Sequence, residues 1–207
     1  MYRHTDHLIV KYTGGPEGKA PITAHCSCTH TATGDTCEQA DLRLEAHLPP
    51  PTPAELAMEK WDEICIRVAA EVLDQSYALD RHSDYPACRR EAGHIHELAE
   101  MIKNLPSEPP SAITSYTGEP VDYTAITIDL AQDGSAIDPA TAPAHIKRSA
   151  EIWQAISKRT AAIVELQAQG FTRHDYPGPQ LEAHCLRTLA VWLKRHEDAP
   201  PAWLAIL

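Results

Sequence analysis

Apolar residues recur at positions 57, 61, 64, 65, 68, 69 and 72, the spacing of one buried stripe on a helix of about 3.6 residues per turn. A proline-rich run at 49–53 precedes this stripe, and Glu55 falls in the first turn, where the helix dipole favours a negative charge. A second helix is expected from about Pro86 to Leu105, with Ile95, Leu98, Met101 and Ile102 inward and Pro106 and Pro109-Pro110 ending it. The pattern returns at 142–169, where Ile146, Ile152, Trp153, Ile156, Ile163 and Leu166 are read as the buried side and Gly170 as the C-terminal cap. A last helix is expected at 179–196 on Leu181, Leu186, Leu189 and Leu193. Shorter alternating segments, His7–Tyr12 and Ile22–Cys28, predict strands around the turn-rich Thr13–Pro21, and Cys37–His47 a short helix. Ala112–Tyr116 and Tyr123–Leu130 predict a second pair of strands.

The two halves repeat each other. Trp61, Ile64, Arg67, Ala69, Ala70 and Val72 recur as Trp153, Ile156, Arg159, Ala161, Ala162 and Val164, at an offset of 92. Gln75 and Arg81-His82 follow at the same offset, as Gln167 and Arg173-His174. One extra residue, Ser83, shifts the register to 91, at which Asp84-Tyr85-Pro86, Glu91-Ala92, Leu98-Ala99, Lys103 and Pro109-Pro110 all recur. Tyr12-Thr13-Gly14-Gly15-Pro16 also resembles Tyr116-Thr117-Gly118-Glu119-Pro120. The reading is a tandem duplication with units at 1–108 and 109–207. Each unit is a β-hairpin followed by a long helical hairpin. The expected fold is helix-dominant α+β, with the two helical hairpins packed as a pseudo-twofold four-helix core. Two independent domains joined near 106–111 are the alternative architecture.

With 207 residues the chain can bury a core. It carries a net charge of −11, divided as −8 over residues 1–108 and −3 over 109–207. That balance counts against a protein that coats nucleic acid through bulk charge. No apolar run reaches the roughly 20 residues of a membrane helix, and Met1–His7 has no signal-peptide core. A cytoplasmic protein with reduced thiols is therefore expected. The abundant Ala, Pro, Arg and His point to a GC-rich genome. The tail Trp203–Leu207 is apolar enough to be expected against the core or a partner.

Five of the six cysteines precede residue 90. His25-Cys26-Ser27-Cys28-Thr29-His30, followed by Cys37 and His47, offers nitrogen and sulfur donors of the kind zinc takes in a tetrahedron. Cys26 and Cys28 leave one face of a strand. Cys37 and His47 are about 15 Å apart along a straight helix, so either that helix breaks or His30 or His25 replaces one of them. Residues 22–47 resemble the short Cys-x-Cys-Gly-Trp…Ala-x-x-x-His zinc-ribbon-like segments of uncharacterised proteins from GC-rich bacteria and phages. Cys26, Cys28 and His47 align, whereas Thr29-His30 stands where that pattern has Gly-Trp. The resemblance implies a structural zinc or a small partner-reading element.

Two further groups carry candidate chemistry. The loops Arg81-His82-Ser83-Asp84-Tyr85-Pro86 and Arg173-His174-Asp175-Tyr176-Pro177 each place a histidine beside a carboxylate, a binding or acid–base combination. The structural reading of the same residues has Asp84 and Asp175 capping the next helix, proline in its first turn, and tyrosine covering the core end. Glu59-x-x-Asp62 with Glu71-x-x-Asp74 resembles the acidic pairs of all-helical nucleotide pyrophosphohydrolases, which implies magnesium-dependent hydrolysis. A solvated helix face is the simpler account of these four carboxylates. His94 and His96 diverge by about 200° on a helix, Cys65 sits on the apolar stripe, and no phosphate loop, nucleophile elbow or His-Glu-x-x-His is present. The expected function is a non-enzymatic acidic protein-binding or structural accessory protein, of phage or mobile-element type and stabilised by zinc. A metal-dependent hydrolase in the first unit is the alternative. A protein partner is expected, and membrane and nucleic-acid partners are not.

Overall fold

The structure is a computed structural model that describes residues 9–14, 21–27, 30–46, 50–81, 84–119, 121, 123, 143–174 and 176–197. It is a helix-dominant α+β protein with two compact units, Met1–Pro51 and Thr52–Leu207. This division differs from the repeat boundary at 108/109. Both helical hairpins fall inside the second unit, so they are not independent domains.

The smaller unit is an antiparallel sheet, β1 (Ile9–Thr13), β2 (Ile22–Cys26) and β3 (Thr31–Gly34), followed by helix α1 (Cys37–Glu45). A third strand thus joins the expected hairpin, pairing Ala24 with Ala32 and Ile22 with Gly34. Alternation along β2 sends Ala24 and Cys26 to one face, where they meet Ala40 and Leu44 of α1. Gly34 is where strand and helix approach most closely: a Cβ there would meet the backbone of Gln39 and Ala40. Thr36 caps α1 through Gln39 N–H at 3.2 Å. Gly14, at φ +106°, lets the chain turn away from β1.

The larger unit opens with α2 (Pro53–Asp80). Thr52 and Glu55 form a capping box, Thr52 N–H donating to Glu55 at 2.7 Å, and Pro53 takes the first helical position. Helix α3 (Pro86–Asn104) packs back along α2 and ends in a 3₁₀ turn, Leu105–Ser107. The segment Ala112–Tyr116, expected as a strand, is instead led by the helical turn α4 (Ser111–Thr114). The Pro110 carbonyl accepts from Ile113 and Thr114, and Ile113 is fully buried. The Tyr123–Leu130 strand lies outside the described residues except for Tyr123. Helices α5 (Ala144–Phe171) and α6 (Pro177–His196) form the second hairpin. Helix α5 continues through Gly170, and Thr172 takes the cap position, its hydroxyl on the Gln169 carbonyl at 2.9 Å.

The four long helices share one core, with α2 against α6 and α3 against α5. Helix α2 buries Ala57, Trp61, Ile64, Cys65, Val68, Ala69, Val72 and Ser76. Helix α5 buries Ser149, Trp153, Ile156, Ser157, Thr160, Ala161, Val164 and Ala168. Ile163 and Leu166, expected inside, are exposed. At 100° per residue they lie about 80° and 140° round the helix from Trp153, so burial of the tryptophan turns them outward. No described helix is long and apolar enough to cross a membrane.

Candidate functional site

In the smaller unit, Cys26 faces α1 and is 5% exposed. The Cys26 N–H donates to the His30 carbonyl at 2.9 Å. His30 itself is exposed, as is Cys37, the first residue of α1. Cys28 and His47 lie outside the described residues. Among the described residues no three His, Cys, Asp or Glu side chains converge as a metal ion requires. Other polar groups here are tied to one another. Tyr12 donates to the Asp41 carboxylate at 2.7 Å, and that bond raises its hydroxyl pKa to about 12. His25 Nε2 meets the Thr13 hydroxyl at 2.8 Å.

The two interhelical loops point their chemistry outward. Arg81, Asp84, Tyr85, Arg173, His174 and Tyr176 are all exposed, and the His174 and Tyr176 rings lie 5.5 Å apart. His82 and Asp175 lie outside the described residues. Pro86 and Pro177 do open their helices, but Tyr85 and Tyr176 take the cap positions without a side-chain bond. Asp84 therefore does not cap α3. The tyrosines, 66% and 59% exposed, do not cover the core. A proline at the first position brings no N–H, which leaves less for a cap to satisfy.

The buried and half-buried ionisable groups have little signature in the sequence. His94 donates from Nδ1 to the Arg90 carbonyl at 2.7 Å, so its Nε2 accepts the Ser149 hydroxyl at 2.9 Å. His184 donates from Nε2 to the Ala112 carbonyl at 3.0 Å, leaving Nδ1 to accept the Tyr123 hydroxyl at 3.1 Å. Tyr116 stacks on the His184 ring at 4.3 Å, and the Arg187 guanidinium lies 5.3 Å from the Tyr123 ring centre. His196 donates to the Trp192 carbonyl at 2.9 Å and stacks on that indole at 3.8 Å. Burial lowers the pKa of all three imidazoles and raises the Cys65 and Cys185 thiols, Cys185 to about 12. These histidines are neutral hydrogen-bonding groups, each fixed in one tautomer, and the thiols are protonated. The one sequence signal was a histidine set within an apolar run, Ala183-His184-Cys185-Leu186.

The four carboxylates of the acidic pairs are exposed, and Glu71 accepts from Gln167 at 2.9 Å. Glu59 and Glu71 are twelve residues apart, about 18 Å of helix, so the pairs do not form one site along α2. Glu59 and Asp62 instead rim a groove of about 460 Å³ with Met58, Trp61, Pro106, Ser107 and Pro109. Trp61 is 1% exposed, and its indole N–H is sealed from solvent with no acceptor among the described residues. The Trp153 N–H, by contrast, donates to the His196 carbonyl at 2.7 Å. Comparison of the chain with protein-family models, with curated proteins and with solved structures returns no match.

Proposed function

We propose that this chain is a non-enzymatic, acidic protein-binding or structural accessory protein, built by tandem duplication into a pseudo-twofold helical core. The observation that carries the functional part is the placement of its ionisable groups. The buried and half-buried imidazoles and the buried thiols are spent on internal hydrogen bonds and packing, and the acidic pairs face outward. Exposed carboxylates on a chain of net charge −11 suit a basic partner.

Several pairs of contacts support the duplicated core. Adding 92 to each buried position of α2 reproduces the buried positions of α5. Adding 91 to those of α3 gives six of the nine buried in α6. Arg67 pairs with Glu182 at 2.7 Å, and its counterpart Arg159 with Glu91 at 3.5 Å. His94 meets Ser149, and the two counterparts also meet, the Cys185 thiol on the Ala57 carbonyl at 3.7 Å. Gly14 and Gly118 share a positive φ. Reciprocal contacts of this kind are what a twofold relation between two copies generates.

The smaller unit belongs to the same reading as a zinc-stabilised element, with Cys26, Cys28, Cys37 and His30 or His47 as donors. Cys26 and His30, linked by a main-chain hydrogen bond, support it. Elemental analysis of chain purified without chelators is expected to find stoichiometric zinc, and metal-free protein overturns that part. For the function as a whole the test is turnover. Nucleoside triphosphates with magnesium or manganese are expected to stay intact. Hydrolysis abolished by Glu59→Gln and Asp62→Asn would establish the pyrophosphohydrolase alternative.

A further inference from the structure

Trp61 and Trp153 hold matching places, 92 residues apart, and both are buried. A buried indole N–H normally finds an acceptor. Trp153 finds the carbonyl of His196, the last residue of α6. Counting 91 back from His196 gives Leu105. There α3 has already ended, Pro106 directs the chain into a 3₁₀ turn, and the Leu105 carbonyl accepts from Glu108 N–H at 3.1 Å. Trp61 is left without its counterpart's acceptor, and this same turn forms one wall of the groove.

We propose that the groove takes an extended, lysine- or arginine-bearing segment of a protein partner. A main-chain carbonyl of that segment receives the Trp61 N–H, and its cationic side chain pairs with Glu59 and Asp62. The inference rests on the protein-binding reading above and names its site. Trp153 indicates the kind of acceptor, a main-chain carbonyl. The carboxylates fix the sign of the partner's charge, since neither makes an ion pair among the described residues. Met58, Pro106 and Pro109 give apolar walls, and methionine adapts to varied side chains. Because the N–H is sealed, the carbonyl reaches it as the Leu105–Ser107 turn yields. That turn is closed by the Glu108 bond and by the Ser107 hydroxyl on the Asn104 carbonyl at 2.7 Å.

The test uses the full chain labelled with ¹⁵N, titrated with a panel of synthetic peptides bearing lysine or arginine at every second position. Acidic peptides of equal length and free arginine serve as controls. The Trp61 indole signal is assigned by its loss in Trp61→Phe. It is expected to move with the basic peptides while the Trp153 signal stays. Affinity is expected to fall about tenfold or more in the doubly neutralised Glu59→Gln, Asp62→Asn chain. Binding that leaves the Trp61 signal unmoved overturns the groove and preserves the protein-binding reading. Failure of every basic peptide to bind overturns the groove proposal too, and the broader reading then rests on the nucleotide test. An equal Trp61 shift with free arginine makes the ligand a small cation and overturns the peptide.

Discussion

Helices α2 and α5 of the larger unit bury matching positions with different chemistry. Where α2 places Ala57, Cys65 and Val68 in the core, α5 places Ser149, Ser157 and Thr160. Ser149 is matched, on His94, whereas Ser157 has no partner among the described residues. Helices α3 and α6 differ in cover. His184, Thr188 and Trp192 are buried, while their counterparts Gly93, Glu97 and Met101 are only partly so. At His184 the difference comes from the segment between the hairpins. Helix α4 packs on both α2 and α6, His184 Nε2 donates to the Ala112 carbonyl, and Tyr116 and Tyr123 close over the ring. Burial geometry thus outlasts side-chain identity. The connecting segment covers His184 of α6, while the hairpin of α2 and α3 keeps an open groove.

The tryptophans offer the strongest way to break this comparison. Trp61→Ala and Trp153→Ala are each expected to cost about 3–5 kcal/mol in urea unfolding, because both rings fill the shared core. Phenylalanine separates them. Trp153→Phe strands the His196 carbonyl and is expected to cost about 1–2 kcal/mol more than Trp61→Phe, which discards a donor that has no acceptor. Equal costs would mean that the two indoles sit in equivalent surroundings.

Acid sharpens the contrast in a second way. His94, His184 and His196 have pKa values held below the usual imidazole value by burial, so the unfolded chain binds their protons more readily. Stability from these groups is complete above about pH 6.5 and is lost as the pH falls toward their folded values. The urea midpoint is expected to drop between pH 7 and pH 5, and to drop less in His184→Gln. An unchanged midpoint would show that the imidazoles are already solvated. The cross-hairpin pairs Arg67–Glu182 and Arg159–Glu91 should give small, similar couplings, about 0.2–1 kcal/mol each in double-mutant cycles, since both are partly exposed. Smallest of all, Leu166→Glu is expected to stay within about 0.5 kcal/mol of the parent, because the residue faces solvent.

Much of the helical unit was legible in the sequence, for a physical reason. Long stripes at 57–72 and 153–164 fix a helix and its phase together, the proline run ending at 53 and Pro86 mark starts that the structure keeps, and α6 begins at Pro177, two residues before the expected 179. Where that phase was judged by hydrophobicity alone, Ile163 and Leu166 misled, since Ser157 and Thr160 occupy the buried phase instead. The short Ala112–Tyr116 segment offered no periodicity to separate strand from helix, and the carbonyl of Pro110 decided it. β3 was missed because Thr31–Gly34 has almost no apolar side chains and is held by pairing with β2. The groove was invisible in one dimension. It depends on the Leu105–Ser107 turn, which brings Pro106 and Ser107 beside Met58, Glu59 and Asp62.

The central claim is that two copies of one helical hairpin share a core about a twofold axis. An experimental structure of the full chain tests it most directly. The account predicts that residues 53–104 overlay 145–195 by close to a half-turn, with Trp61 on Trp153 and the Arg67–Glu182 pair on Arg159–Glu91. Hairpins that overlay only with these residues out of register, or that bury separate cores, would contradict it.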